Sequence, residues 1–363
     1  MPTAVHPHPE APHPRDAASD SQPVDAAARR VAALLPGIGL SLAIAVVATI
    51  LGRVEPIIGS PVFGVVLGMV AAAVLRPGTT LRPGIGFTGK HVLQASIVVL
   101  GTGLSLVEVV HTGVSSLPVM LGTLALAGGA TVVFGRLLHV DGNLRMLIGV
   151  GTGVCGASAI AAVTAVVGAI EVDVAYAIST IFAFNVAAVL LFPALGHLLG
   201  LSQHAFGLWA GTAINDTSSV VAAAYTYGTA AGAYGVVIKL TRSLMIVPVC
   251  LGLAAQQLRR RRHGTGTSVA TSMPWLKVFP WFIVYFLLAA AANTMGLVPH
   301  GWHSLLAALA TFLITVALAG IGLSARFGSM RTMGVRPLLL GAALWATVAV
   351  GSLAIQGATG LLT

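Results

Sequence analysis

The sequence predicts an all-α polytopic membrane protein of about eleven transmembrane helices, with inverted repeats and two interrupted helices. Three observations carry this. Of 363 residues, 56% are hydrophobic and 8% charged, and the mean hydropathy is +0.94, far from a soluble globular domain. Apolar stretches of roughly 20 residues, each long enough to cross a hydrocarbon core about 30 Å thick, recur along the chain. Finally, Lys and Arg fall almost wholly on one side of the alternation that those stretches define.

The elements follow in chain order. Residues 1–30, "MPTAVHPHPEAPHPRDAASDSQPVDAAARR", are rich in Pro, Ala, His and acid and have no apolar periodicity, so they read as a disordered cytoplasmic tail. Pro separates His6, His8 and His13, which argues against a fixed metal site, and no small-residue cleavage site marks a signal peptide. Residues 31–363 read as a single transmembrane transporter domain. Its spans are expected near 34–52, 57–75, 91–110, 114–135, 146–170, 174–199, 206–230, 233–257, 276–297, 303–325 and 336–361. They leave no room for a soluble catalytic domain.

With the N-terminus inside, the inner segments hold Arg15, Arg29, Arg30, Arg76, Arg82, Lys90, Arg136, Arg145, Arg259–Arg262, Lys277, Arg326, Arg331 and Arg336, and the outer segments hold only Arg53. Cytoplasmic loops retain such residues, so an odd number of spans places Thr363 outside. The net charge of +9 therefore reflects topology and gives no reason to invoke nucleic acid. The run "RRRRH" at 259–263 opens a cytoplasmic basic loop, about 259–275, and reads as a stop-transfer anchor.

Polar residues inside the spans locate the chemistry. "GTAINDTSSV", residues 211–220, interrupts the seventh span with Asn215, Asp216, Thr217, Ser218 and Ser219. "GVGTGVCGASAIAAV", residues 149–163, crowds Gly149, Gly151, Gly153 and Gly156 ahead of Ser158 in the fifth, a poor composition for an unbroken helix. At an offset of 60 the two align, Gly151 with Gly211, Thr152 with Thr212 and Ser158 with Ser218. A helix restarting inside a membrane protein presents free N–H groups and a positive dipole end, which suit an anion. Lys239 and Arg242 lie three apart on one face of the eighth span. Charges at membrane depth are costly and are expected to be paired, with Asp216 or with a ligand. The candidate substrate-binding set is Gly151, Thr152, Gly153, Cys155, Gly156, Ala157, Ser158, Asn215, Asp216, Thr217, Ser218, Lys239 and Arg242, with Asp216 as the coupling residue. Close helix packing through small residues and a buried ion pair are the plainer readings of the same features. Cys155 and Cys250 offer no metal spacing and little motive for a disulfide, and no cofactor is expected.

The motifs "GVCGASAIAA", "WAGTAINDTSSVVAAAYTYG" and "KLTRSLMIVPV" together resemble the YeiH-type family of bacterial inner-membrane proteins, often labelled sulfate exporters. The resemblance runs through most of the membrane region and is strongest over 149–250. It implies a secondary transporter with broken helices, similar in architecture to bile-acid/sodium symporters and cation/proton antiporters. One departure is that a His commonly precedes the Asp of the family's "DTSSVV" motif, whereas this chain has Asn215. A proton relay through such a His does not carry over.

"GTGLSLVEVVHTGVSSLPVMLG" (101–122) aligns without gaps to "GIGLSARFGSMRTMGVRPLLLG" (320–341), in spans three and ten. Spans separated by an odd number cross in opposite directions, so this predicts an inverted repeat, the basis of alternating access. The first functional expectation is thus transport of a small anion, sulfate or a related oxyanion or organosulfur anion, across the inner membrane. The alternative is a cation/proton antiporter using Asn215 and Asp216, against which Arg242 would repel the cation. An intramembrane enzyme using Ser158 or Asp216 lacks a placed base or second carboxylate. The expected partners are the anionic substrate, the lipid bilayer, a coupling proton or sodium ion, and a second copy of the chain.

Overall fold

A computed structural model describes residues 22–54, 59–262, 281–324 and 335–362, and every regular element among them is helical. The helices are α1 (Gln22–Val54), α2 (Ser60–Leu75), α3 (Arg82–Phe87), a π-helical turn (Thr88–Val92), α4 (Leu93–Gly101), α5 (Leu106–Ser115), α6 (Leu117–Leu137), α7 (Gly142–Gly153), α8 (Ala157–Val167) and α9 (Glu171–Leu198). They continue with α10 (Gln203–Ala213), α11 (Thr217–Tyr227), α12 (Thr229–Leu244), α13 (Ile246–Arg262), α14 (Trp281–Thr294), α15 (His303–Leu323) and α16 (Val335–Ala358).

Among the described residues, six helical stretches are long and apolar enough to cross a membrane, or seven if the bent pair 82–101 and 106–115 counts as one span. The expected eleven are fewer by that measure for two reasons. The α2 and α14 helices are short, and the fifth and seventh apolar stretches are each split by a polar break, into α7 and α8 and into α10 and α11. The third stretch also differs from expectation. Its helix ends at Gly101 and the chain turns by 109° into α5, because Ser105 caps the new helix. Ser105 accepts from the Val107 N–H at 3.2 Å while Glu108 accepts from the Ser105 N–H.

Of the expected tail, residues 1–21 lie outside the described residues, and 22–30 are helical as the start of α1. The Pro at position 23 falls in the first turn, where its missing N–H costs nothing. Of the basic loop, Arg259–Arg262 close α13, and the remainder lies outside the described residues. Of the second copy of the aligned repeat, residues 325–334 also lie outside the described residues.

The helices pack as two groups. In one, α1, α2, α4, α14 and α15 lie together, and in the other α6, α7, α9, α10, α11, α12 and α16. An apolar cluster joins them, with Val65 of α2, Leu93 and Ile97 of α4 and Ile314 of α15 set against Val221 and Tyr225 of α11 and Val236 of α12. Within the second group α12 lies unusually close to α10. A Cβ on Gly211 would stand 3.0 Å from the Gly235 carbonyl oxygen, so only small residues allow this approach. That closeness brings the bases of α12 to the break after α10.

Candidate functional site

Both breaks are where the glycines and the Asn-Asp pair put them, at residues 154–156 and 214–216. Each leaves a helix C-terminus with unpaired carbonyls and a helix N-terminus with unpaired N–H groups.

The carbonyl ends meet the two buried bases. Lys239 and Arg242 are 0% and 1% exposed. Lys239 Nζ donates to the Val154 and Ile214 carbonyls, each at 2.9 Å. Arg242 donates through Nε to Gly153 O and through Nη2 to Thr152 O, both at 3.0 Å, and through Nη1 to Thr212 O. Thr152 and Thr212 are partners in the offset-of-60 alignment, as are Val154 and Ile214. Each base therefore bridges equivalent carbonyls of the two breaks. A helix C-terminus carries roughly half a negative charge, so two of them offset a large part of the two positive charges. The pairing expected with Asp216 or with a ligand is met by backbone instead.

Asp216 caps α11. Its carboxylate accepts from the Ser219 N–H at 2.7 Å, from Ser218 Oγ at 2.5 Å, from Ser219 Oγ at 3.0 Å and from Asn185 Nδ2. Asn185, 3% exposed on α9, accepts the Asn215 N–H through its own Oδ1 at 3.3 Å. The polar run inside an apolar span is thus a capping segment. It restarts a helix inside an apolar span and satisfies the Ser219 N–H with a side chain of its own. Asn215 itself is buried with neither side-chain polar atom hydrogen-bonded, a cost of about 1–3 kcal/mol.

The N-terminus of α8 is different. Gly156 stands in the N-cap position at φ +69° and supplies no side-chain cap. Ala157 and Ser158 begin α8 at a cavity of about 530 Å3 between the two helix groups, and Ser158 Oγ donates to Cys155 O at 3.0 Å. The same cavity is lined by Cys155, Asp216, Thr217 and Ser218 and, from the other group, by Lys90 and Gln94. A second cavity of about 220 Å3, on the side of α2, α9 and α15, also reaches Asp216 and Ser218.

Of the sequence-derived set, Cys155, Ala157, Ser158, Asp216, Thr217 and Ser218 thus come together on one cavity. Gly151, Thr152 and Gly153 are buried in the last turn of α7. Gly156, Asn215, Lys239 and Arg242 are buried behind the cavity wall. The residues that sequence reasoning missed are Asn185, Lys90 and Gln94. Asn185 is a polar residue in the otherwise apolar "IFAFNVAAVLL", a signal that was there to read. Lys90 and Gln94 lie four apart, at a π turn that no composition announces.

The family described as Conserved hypothetical protein 698 matches residues 36–341. A UPF0324 membrane protein of Streptococcus pyogenes serotype M6 is 42% identical over 339 residues, covering 90% of this chain and 98% of the relative. The chain belongs to the UPF0324 membrane protein family. Relatives of the same description in Streptococcus agalactiae serotype V and Clostridium tetani are each 38% identical, covering 90% and 88% of this chain and 98% and 96% of the relatives. The family resemblance drawn from the three motifs holds, and the chain is a membrane protein.

Gly156 offers a direct check on the break. A Cβ there would lie 3.2 Å from Asp216 Cβ, at a backbone angle that L residues rarely adopt. Gly156→Ala is expected to destabilise the purified protein by about 1–3 kcal/mol, read as a lower melting temperature. An unchanged melting temperature would show that the break tolerates an ordinary residue.

Proposed function

We propose that this UPF0324 protein is a secondary transporter, not an enzyme, that moves a small anion such as sulfate or a related oxyanion by alternating access. The observation that carries the reading is the contrast between the two helix starts. At the same offset of 60, Gly156 corresponds to Asp216. The α11 helix has its own carboxylate cap, whereas α8 begins at the cavity with a glycine in that place. A ligand oxyanion would do for α8 what Asp216 does for α11: accept its free N–H groups and stand at its positive end. Lys90 and Gln94 face the same cavity and would supply charge and donors, a role the sequence had given to Lys239 and Arg242.

Transport, as against a static binding site, draws support from the position of Asp216 between two cavities, and from the packing of the aligned segments. The 101–122 segment closes α4 and opens α6, and 320–341 closes α15 and opens α16. The α4 helix packs on α15 and α6 on α16, an arrangement compatible with a pseudo-twofold relation between the segments. The eleven-span topology goes with this reading, each broken pair counting as one span, with the N-terminus cytoplasmic and the C-terminus outside. The cation/proton antiporter remains the second reading, favoured by the access of Asp216 to both cavities. Against it, that carboxylate already receives four donors, which leaves it little capacity to hold a cation.

The test is sulfate titration calorimetry on the purified full chain. Lys90→Gln is expected to weaken binding by roughly three- to tenfold, since its charge is partly screened by the water-accessible cavity, while the melting temperature stays put. No sulfate or related oxyanion binding by the wild type, with sodium binding in its place, would defeat the anion reading.

A further inference from the structure

Two carbonyl oxygens converging on one buried point are the makings of a cation site. Val154 O and Ile214 O each end a broken helix, where the dipole is negative, and each lies 2.9 Å from the same nitrogen, Lys239 Nζ. Nothing else about the position demands a lysine. On its face of α12 the neighbours one turn away are Gly235, Val236, Arg242 and Ser243, and among the described residues the ammonium bonds only the two carbonyls, so a neutral apolar residue there would avoid its desolvation cost. An arginine already serves the neighbouring carbonyls of the same two helix ends. What the ammonium adds is a monovalent positive charge at the point where the two breaks come together.

We propose that Lys239 is a tethered cation occupying a monovalent-cation site formed by the Val154 and Ile214 carbonyls, so that the protein needs no free sodium ion to hold its two broken helices together. The proposal deepens the transporter reading and rests on it only for its consequence, that any coupling ion acts elsewhere, with Asp216 and a proton the remaining pair. The binding site itself stands on the geometry alone. Because the charge is tied to α12, it cannot leave with the substrate. Its removal frees the two helix ends from each other.

Truncation to alanine removes Cγ, Cδ, Cε and Nζ, which together make an n-propylammonium ion. In K239A, n-propylammonium is expected to raise the melting temperature of the purified full chain saturably. Methylammonium is expected to do so less well, and isosteric n-propanol little or not at all; the wild type should respond to none of them. The alcohol separates filling of a hole from replacement of a charge. If K239A is too unstable to purify, the additives are supplied during solubilisation and the yield of folded protein is read instead. Rescue by propylammonium and not by propanol supports the proposal. Equal rescue by both, rescue by neither, or K239A as stable as the wild type would overturn it, as would a saturable sodium-dependent stabilisation of the wild type. All these measurements are made without sulfate, so a failure of sulfate binding leaves their outcome intact.

Discussion

Arg242→Met is expected to destabilise the folded protein by about 3–5 kcal/mol, the cost of breaking a buried, fully hydrogen-bonded charge arrangement. The loss comes from the carbonyls and not from the arginine. Methionine fills a similar volume, but it leaves Thr152, Gly153 and Thr212 without the donors that Arg242 supplies. Each buried, unpaired carbonyl costs about 1–3 kcal/mol, and Thr152 and Thr212 are 1% and 0% exposed. Arg242→Lys should recover only part of the loss, because an ammonium cannot present the three-way fork that spans both helix ends. Melting of the purified protein, followed by loss of monomer on size exclusion, reads all three forms. An R242M protein as stable as the wild type would show that the carbonyls find other partners.

This role for Arg242 marks the limit of what the sequence discloses. The breaks were legible because they are local: four glycines in eight residues, and an Asn-Asp pair before two serines, each disfavour a continuous helix wherever they occur. The equivalence of the two stretches was legible for the same reason. That Lys239 and Arg242 share a face was also legible, since helical spacing alone decides it. What they bind was not, because a backbone carbonyl has no sequence signature and any residue can offer one. Charge balance counted over side chains left two bases against one acid, and so suggested a missing anion; the helix dipoles supply most of the difference. The converse error hid Lys90, which enters a topology count as one more cytoplasmic base. Only the fold shows that the π turn brings it to the cavity beside Ser158. Asn185 could have been flagged as a costly polar residue in a span, but its partner, 31 positions on, is a matter of packing.

Asp216→Asn is expected to slow transport by about ten- to a hundredfold while changing oxyanion affinity far less. The carboxylate is an acceptor on both oxygens, toward Ser218 and the Ser219 N–H on one and toward Asn185 and Ser219 Oγ on the other. An asparagine keeps the first oxygen and with it the helix cap, so α11 still starts at Thr217. In place of the second it puts an NH2 group against the NH2 of Asn185, donor facing donor. Asn185 can turn its amide to meet it, but then withdraws the Oδ1 that accepts the Asn215 N–H, so one of the two contacts between α9 and the break is lost either way. One charge-assisted hydrogen bond of this kind is worth about 1.5–3 kcal/mol, which sets the size of the effect if this contact is remade as the site changes its exposure. Binding at α8 does not use that oxygen, so sulfate calorimetry should register little, whereas uptake into proteoliposomes should fall. An Asp216→Asn protein that loses sulfate binding as completely as it loses transport would place the carboxylate in direct contact with the ligand's own site. One that transports at the wild-type rate would remove Asp216 from the coupling step altogether.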